Sequence, residues 1–366
     1  MLFLTLNTFS ATGGIEKVCR IASNAFSEIC NERNSSLTLY SMHDKADVST
    51  EPYITKKSFK GFGGNKYFFV IKAILNGTGQ KCVIISHVNL SLPAYIIKLL
   101  SPKTKVIVMA HGIEIWKPLT GIKKKLIAKA DLVISVSEFT KKQINEGYLV
   151  RKSVVIHNCI DPLLAHFPEL DRNSMRSKLG LSPDDFVLLT VSRLKSTESG
   201  KNFDKILFAI KALGQQARNL RYVMVGKYDE DEKRRIENVC NGLGIGGQVK
   251  ITGYVSDTEL PDYYGCADLY VMPSKKEGFG ITFIEAMYYG LPVIGGLRDG
   301  SVDALMNGRL GLLVDPDHQD DIISAIAKIY VNPSSFKPDR KTVINNFGFD
   351  VYKKKWERVI GDLAVS

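Results

Sequence analysis

The stretch from Asp268 to Gly296, DLYVMPSKKEGFGITFIEAMYYGLPVIGG, constrains this chain more tightly than any other. Leu269 to Met272 read as a buried strand, and Pro273 with Ser274 opens a turn. A loop punctuated by Gly278 and Gly280 follows, then a short helix over about Ile281 to Tyr289 and a second buried strand, Pro292 to Ile294. Glu277 lies in the loop, where glycines let backbone approach a ligand closely, and Glu285 lies on the helix. The amides of Phe279, Gly280, Ile281 and Thr282 face outward at the helix N-terminus, which is a natural anion site. A carboxylate beside an anion cradle repels the anion unless it meets a different part of the ligand. A molecule with a polyhydroxyl group at one end, phosphate in the middle and a diol at the far end satisfies both, and a nucleotide sugar has that layout.

The rest of the chain agrees with a large α/β protein. Its 366 residues suggest two domains of roughly 150 to 200 residues, each able to bury its own core. Hydrophobic content of 45% and charged content of 24% are those of a soluble globular protein. The N-terminal MLFLTLNTF reads as a first strand, not a signal peptide, and the longest apolar run, Val83 to Leu100, is broken by His87, Asn89 and Pro93. A cytoplasmic location is the expectation. The six cysteines show no C-x-x-C pairing, which argues against zinc or a disulfide framework. The net charge of +11 falls entirely in residues 1 to 162, with 22 Lys plus Arg against 11 Asp plus Glu. That asymmetry points to an anionic partner, an acidic membrane surface or a lipid-linked phosphate before nucleic acid.

Taken in order, strands are expected at Leu2 to Leu6, Ser36 to Tyr40, Cys82 to Ser86, Val106 to Met109 and Leu132 to Val136, separated by helices. That alternation predicts a parallel, doubly wound sheet with ligands at the carboxyl ends of its strands. Gly13 and Gly14 open a helix after the first strand, and His111 follows another strand end. Two lysine-rich, apolar-studded stretches, Tyr53 to Leu75 and Lys117 to Ala130, suit either an anionic bilayer or a core helix with a wet lysine face. Val154 to Asp161 reads as a strand leading out of the domain, and Pro162 to Asp171 as a linker. The second half repeats the pattern. Phe186 to Leu194 forms a strand ending in Arg193, with Lys201 after a polar loop, two cations able to clamp a diphosphate. Gly226 and Tyr254 sit at further strand ends. The run GLGIGG from Gly242 to Gly247 follows a helix and precedes a strand, the reverse of a dinucleotide fingerprint. Asp315-Pro316-Asp317 is expected to cap the following helix and not to hold a metal.

Glu277 and Glu285, eight residues apart around GFG, resemble the E-x7-E signature of retaining glycosyltransferases of the GT-B fold, most closely glycosyltransferase family 4. The resemblance implies two Rossmann-like, doubly wound domains facing a central cleft. It places an acceptor-side domain at 1–165, a nucleotide-sugar domain at 166–346, and a terminal helix at 347–366 that crosses back onto the first. It implies that Glu277 contacts the donor sugar, Glu285 the ribose, His111 the sugar, and Arg193 and Lys201 the diphosphate. Donor binding then falls to Gly13, Gly14, Gly226, Tyr254, Gly278, Phe279, Gly280, Ile281, Thr282 and Glu285. Cys159 stands where the family usually has glycine after Asn158, and the loop before Lys201 is longer than usual. The implied reaction is metal-independent, retaining hexosyl transfer from a UDP-hexose, with UDP-glucose favoured over GDP-mannose. The acceptor is a glycan or a lipid-linked molecule in polysaccharide or glycolipid assembly. Peripheral attachment to the inner face of the membrane through the basic first domain is the accompanying expectation, with no nucleic-acid partner. The alternatives are a GT-B nucleotide-sugar epimerase and an inactive, basic membrane-binding protein.

Overall fold

The protein is described here by a computed structural model covering residues 1–166 and 171–365, so part of the linker expected over 162–171 lies outside the described residues. It divides into two compact units, residues 1–159 with 347–366 and residues 160–346.

In the first unit the described residues build a seven-stranded, all-parallel sheet. Its strands are β1 Leu2–Thr5, β2 Thr38–Ser41, β3 Phe59–Gly61, β4 Cys82–Ile85, β5 Lys105–Ala110, β6 Leu132–Ser135 and β7 Ser153–Val155. The spatial order is β3-β2-β1-β4-β5-β6-β7, so the chain reverses its direction of progress between β1 and β4. Strands such as CVII and KVIVMA are apolar on both faces because helices cover both sides of a parallel sheet. Helix Phe349–Val365 belongs to this unit. It lies on helix Gly14–Glu32, with Trp356 edge-on to Phe26 at 4.8 Å and Lys353 paired to Glu28 and Glu32 at 2.7 and 3.0 Å.

The described residues of the second unit form a six-stranded parallel sheet. Its strands are β8 Phe186–Val191, β9 Leu220–Val225, β10 Val249–Gly253, β11 Leu269–Met272, β12 Val293–Gly296 and β13 Leu312–Val314, in the order β10-β9-β8-β11-β12-β13. The reversal falls between β8 and β11, the two strands whose carboxyl ends carry the candidate residues. Each unit therefore has the doubly wound architecture expected from the sequence.

Three local expectations are corrected. The stretch 53–75 is not one amphipathic element: a 3-10 turn at Lys56–Ser58 leads into the edge strand β3, and the helix begins only at Lys66, where the Asn65 side chain accepts the amide of Phe68. Val154 to Asp161 is extended only as far as Val155. Asp315 and Asp317 do not cap helix Gln319–Val331, which is preceded by His318 with no side-chain cap. Both pair instead with Arg298, and Asp317 also pairs with Lys275. The glycine run 242–247 stops helix Glu230–Leu243, with Gly244 in the left-handed region at φ 67°. Among the described residues no helix is long and apolar enough to cross a membrane.

Candidate active site

The second unit brings Glu277 and Lys201 into contact. Lys201 ends a 3-10 turn after β8, Glu277 stands in the loop after β11, and their side chains form an ion pair. Each is less than a fifth exposed, 18% for Lys201 and 19% for Glu277, so the pair is shielded from much of the solvent. The next residue, Asn202, joins three loops: its Nδ2 donates to the carbonyls of Pro273 at 2.9 Å and Pro316 at 3.0 Å.

Glu277 is held from behind by a residue that sequence reasoning missed. Asp299, buried in the loop after β12, accepts the amide of Glu277 at 2.7 Å, the hydroxyl of Ser274 at 2.7 Å and the amide of Ser301 at 3.0 Å. Burial pushes its carboxyl up to about 6, against the opposing pull of those hydrogen bonds. The amide of Gly300 closes the clamp on the carbonyl of Glu277 at 2.8 Å, and a Cβ on Gly300 would lie 2.0 Å from the carbonyl oxygen of Gly278. A lone aspartate in GGLRDGS carries no local signal of this role, because Glu277 and Ser274, the partners that define it, are more than twenty residues away.

Helix Ile281–Tyr288 starts beside this clamp with no side-chain cap. Its first amides, from Ile281 and Thr282, have no intrahelical acceptor and are free to meet an anion. Gly280 precedes them at φ 84°, where a Cβ would also strike the ring of Phe283 at 2.4 Å, so only glycine fits. Tyr270 donates to the Thr282 hydroxyl at 2.6 Å. Glu285 is buried and accepts the hydroxyl of Tyr264 at 2.8 Å, and that ring stacks on Tyr289.

The remaining predicted residues are more dispersed. Arg193 follows β8 and pairs with Glu198 of its own loop at 2.9 Å, not with Glu277. Gly226 ends β9 against the loop after β8, where a Cβ would lie 1.9 Å from the Ser192 carbonyl oxygen. Tyr254 is exposed beyond the edge strand β10.

In the first unit, His111 is buried at the end of β5, and its Nε2 lies 2.9 Å from the Ser86 carbonyl beyond β4. A carbonyl can only accept, so Nε2 carries a proton, and in the neutral ring Nδ1 presents a lone pair. That buried Nδ1 has no partner, an orphan acceptor suited to a ligand hydroxyl. The loop between β1 and Gly13-Gly14 is pinned by Asp44, which accepts the amides of Thr8 at 2.8 Å, Phe9 at 3.2 Å and Ser10 at 2.8 Å and the hydroxyls of Ser10 and Ser41. Burial raises the Asp44 carboxyl, but these bonds outweigh it and hold the group below the usual carboxylate range. Around Gly14 the space is open, and nothing would meet an added Cβ within 4 Å.

The profile of the family described as Glycosyl transferases group 1 matches residues 171–347, and that of Glycosyltransferase Family 4 matches residues 30–163. The chain belongs to these glycosyltransferases. Its matched region 171–347 nearly spans the second unit, and the region 30–163 covers the first unit from residue 30 onward without its terminal helix. Among curated relatives it is similar to a mannosylfructose-phosphate synthase of Agrobacterium fabrum, 32% identical over 43% of this chain and 35% of the relative. A GDP-mannose-dependent alpha-(1-6)-phosphatidylinositol monomannoside mannosyltransferase of Mycobacterium tuberculosis is 25% identical over 64% of this chain and 62% of its own length. The chain thus spans less than two thirds of these relatives. Among solved structures it superposes on Anabaena HepE in complex with UDP-glucose with a TM-score of 0.80 and 18% identity, over 99% of this chain and 100% of that one. This last likeness, like the sheet orders, places the architecture in the GT-B fold.

Proposed function

We propose that this glycosyltransferase moves a hexose from a nucleotide-diphosphate sugar to a glycan or lipid-linked acceptor, with retention at the anomeric carbon and without a metal. The observation that carries the reading is the Lys201–Glu277 pair set beside an uncapped helix N-terminus at the reversal point of the second sheet. The diphosphate binds at the amides of Ile281 and Thr282, releasing Lys201 from Glu277 to become its counter-ion; Arg193 exchanges Glu198 for the same phosphates. Glu277, freed of its cation and still clamped by Asp299, accepts from sugar hydroxyls. Glu285 serves the ribose, exchanging the hydroxyl of Tyr264, and His111 offers Nδ1 to a sugar hydroxyl. As the anomeric bond breaks, its electron pair passes to the diphosphate, whose new charge these donors stabilise. The acceptor oxygen attacks from the same face, and its proton goes to the departing phosphate.

Two donor series are in contention, and each has a relative behind it. HepE is a structure with UDP-glucose, and the mycobacterial relative is GDP-mannose-dependent. We favour a UDP-hexose. The deciding experiment is thermal unfolding with UDP-, GDP- and ADP-sugars and their free nucleotides, each with and without EDTA. A ligand present at about a hundred times its dissociation constant adds about 2.7 kcal/mol. Stabilisation by the uridine series alone, unchanged by EDTA, supports the proposal; stabilisation by guanosine compounds replaces the donor, and loss in EDTA removes the metal-free mechanism.

A further inference from the structure

Helix Lys66–Gly77 carries apolar residues on its solvent side as well as on its buried one. Phe69, Ala73 and Gly77 face the core of the first unit. Tyr67, Phe68, Ile71 and Leu75 project on the other side, 86%, 45%, 55% and 65% exposed. At 3.6 residues per turn these four fall within an arc of about 100°, a single stripe along the helix. On helix Ser91–Leu100, which packs beside it, Leu99 and Leu100 are exposed as well.

The run of chain that carries the stripe has charge of one sign. Residues 52 to 113 contain nine lysines and neither aspartate nor glutamate. Two of those ammonium groups stand at the stripe itself, Lys60 and Lys72 each 5.5 Å from the centre of the Phe68 ring. The second lysine-rich stretch differs: helix Gly121–Lys129 buries Leu126 and Ile127 and leaves no comparable apolar face outside. An exposed row of aromatic and branched residues fringed by lysine, on a run of chain without an acid, suits a surface that is negative at its boundary and apolar just beneath. Nucleic acid offers the charge without the apolar layer. A protein groove offers the apolar layer, but no acidic counterpart exists in the sixty residues that carry this stripe, which disfavours a second copy of the chain.

We propose that the stripe of helix Lys66–Gly77 is a docking face for an anionic bilayer, with Tyr67, Ile71 and Leu75 entering the headgroup boundary and Lys60 and Lys72 meeting lipid phosphates. Full-length protein is sedimented with vesicles of phosphatidylcholine alone and of phosphatidylcholine with phosphatidylglycerol, at low and high salt. Binding needs no nucleotide sugar, so the outcome is independent of the transferase reading. Wild type should partition onto the anionic vesicles and be released by salt. Lys60→Gln and Lys72→Gln should each weaken partitioning about fivefold, and Ile71→Ser with Leu75→Ser about tenfold or more. The replaced side chains are surface groups, and circular dichroism confirms folding of each variant. Failure of wild type to bind, or binding that the Ile71 and Leu75 changes leave intact, overturns the proposal. Dimerisation in vesicle-free sedimentation velocity that is lost in the same double variant overturns it in favour of self-association.

Discussion

At the scale of single residues, the donor loop depends on groups that oppose one another. Glu277 is tied to Lys201 while its amide is held by Asp299. Glu277→Gln keeps the shape and removes the charge, and turnover should fall about a hundred- to a thousandfold with the folded state intact, as loss of one preorganised polar contact does elsewhere; steady-state rates alongside unfolding curves check this. Asp299 adds a pH limb. Because its folded value, about 6, exceeds the ordinary 3.8, the folded state holds an extra proton between those values. The contribution of this group to stability is therefore present at low pH and is lost as pH rises through about 6. The loop needs the reverse, since the amide of Glu277 and the hydroxyl of Ser274 both donate to the ionised carboxylate. Turnover should decline below about pH 6 while this group's stability term rises, and Asp299→Asn should lower activity and flatten that limb in a kcat/KM profile. Gly280→Ala meets both a positive φ and the Phe283 ring, so a loss of more than about 1 kcal/mol in chemical denaturation is expected.

At the scale of elements, what the sequence discloses is what is local. The apolar runs of β4, β5, β8 and β11 are continuous because both faces of a parallel sheet are covered, and such runs need no partner to be recognised. The glycine loop before helix Ile281–Tyr288 is equally legible, since φ and close approach restrict it residue by residue. β3 escapes because three residues, FKG, are too short for any periodicity, and only pairing with β2 makes them a strand. Asp44, Asp299 and Asn202 escape because their partners lie far along the chain. Asp315 and Asp317 misled for the same reason: the cations that hold them, Arg298 and Lys275, stand seventeen or more residues earlier in the chain. Asn202 tests how firmly the loops after β8, β11 and β13 are joined. Asn202→Ala removes two hydrogen bonds and places alanine in the left-handed region, with an expected cost of about 2 to 3 kcal/mol. It should also weaken nucleotide-dependent stabilisation, because Lys201 is its neighbour.

At the scale of the whole molecule, two separate cores imply two unfolding events. Trp356→Ala deletes the largest buried side chain of the terminal helix where it meets Phe26 and should cost about 3 to 5 kcal/mol. In calorimetry that loss should appear in one transition, belonging to the first unit, while a nucleotide sugar should shift chiefly the other. A single transition moved by both would show that the units unfold together. The placement of helix Phe349–Val365 also fixes the order of biosynthesis. Residues 160–346 form a self-contained body lying between the two parts of its neighbour in the chain. The second unit can therefore close before the helix that completes its neighbour is available. The first unit, begun first, must wait with Phe26 uncovered until residues 349–365 have emerged, and in that interval the nascent chain most needs a chaperone.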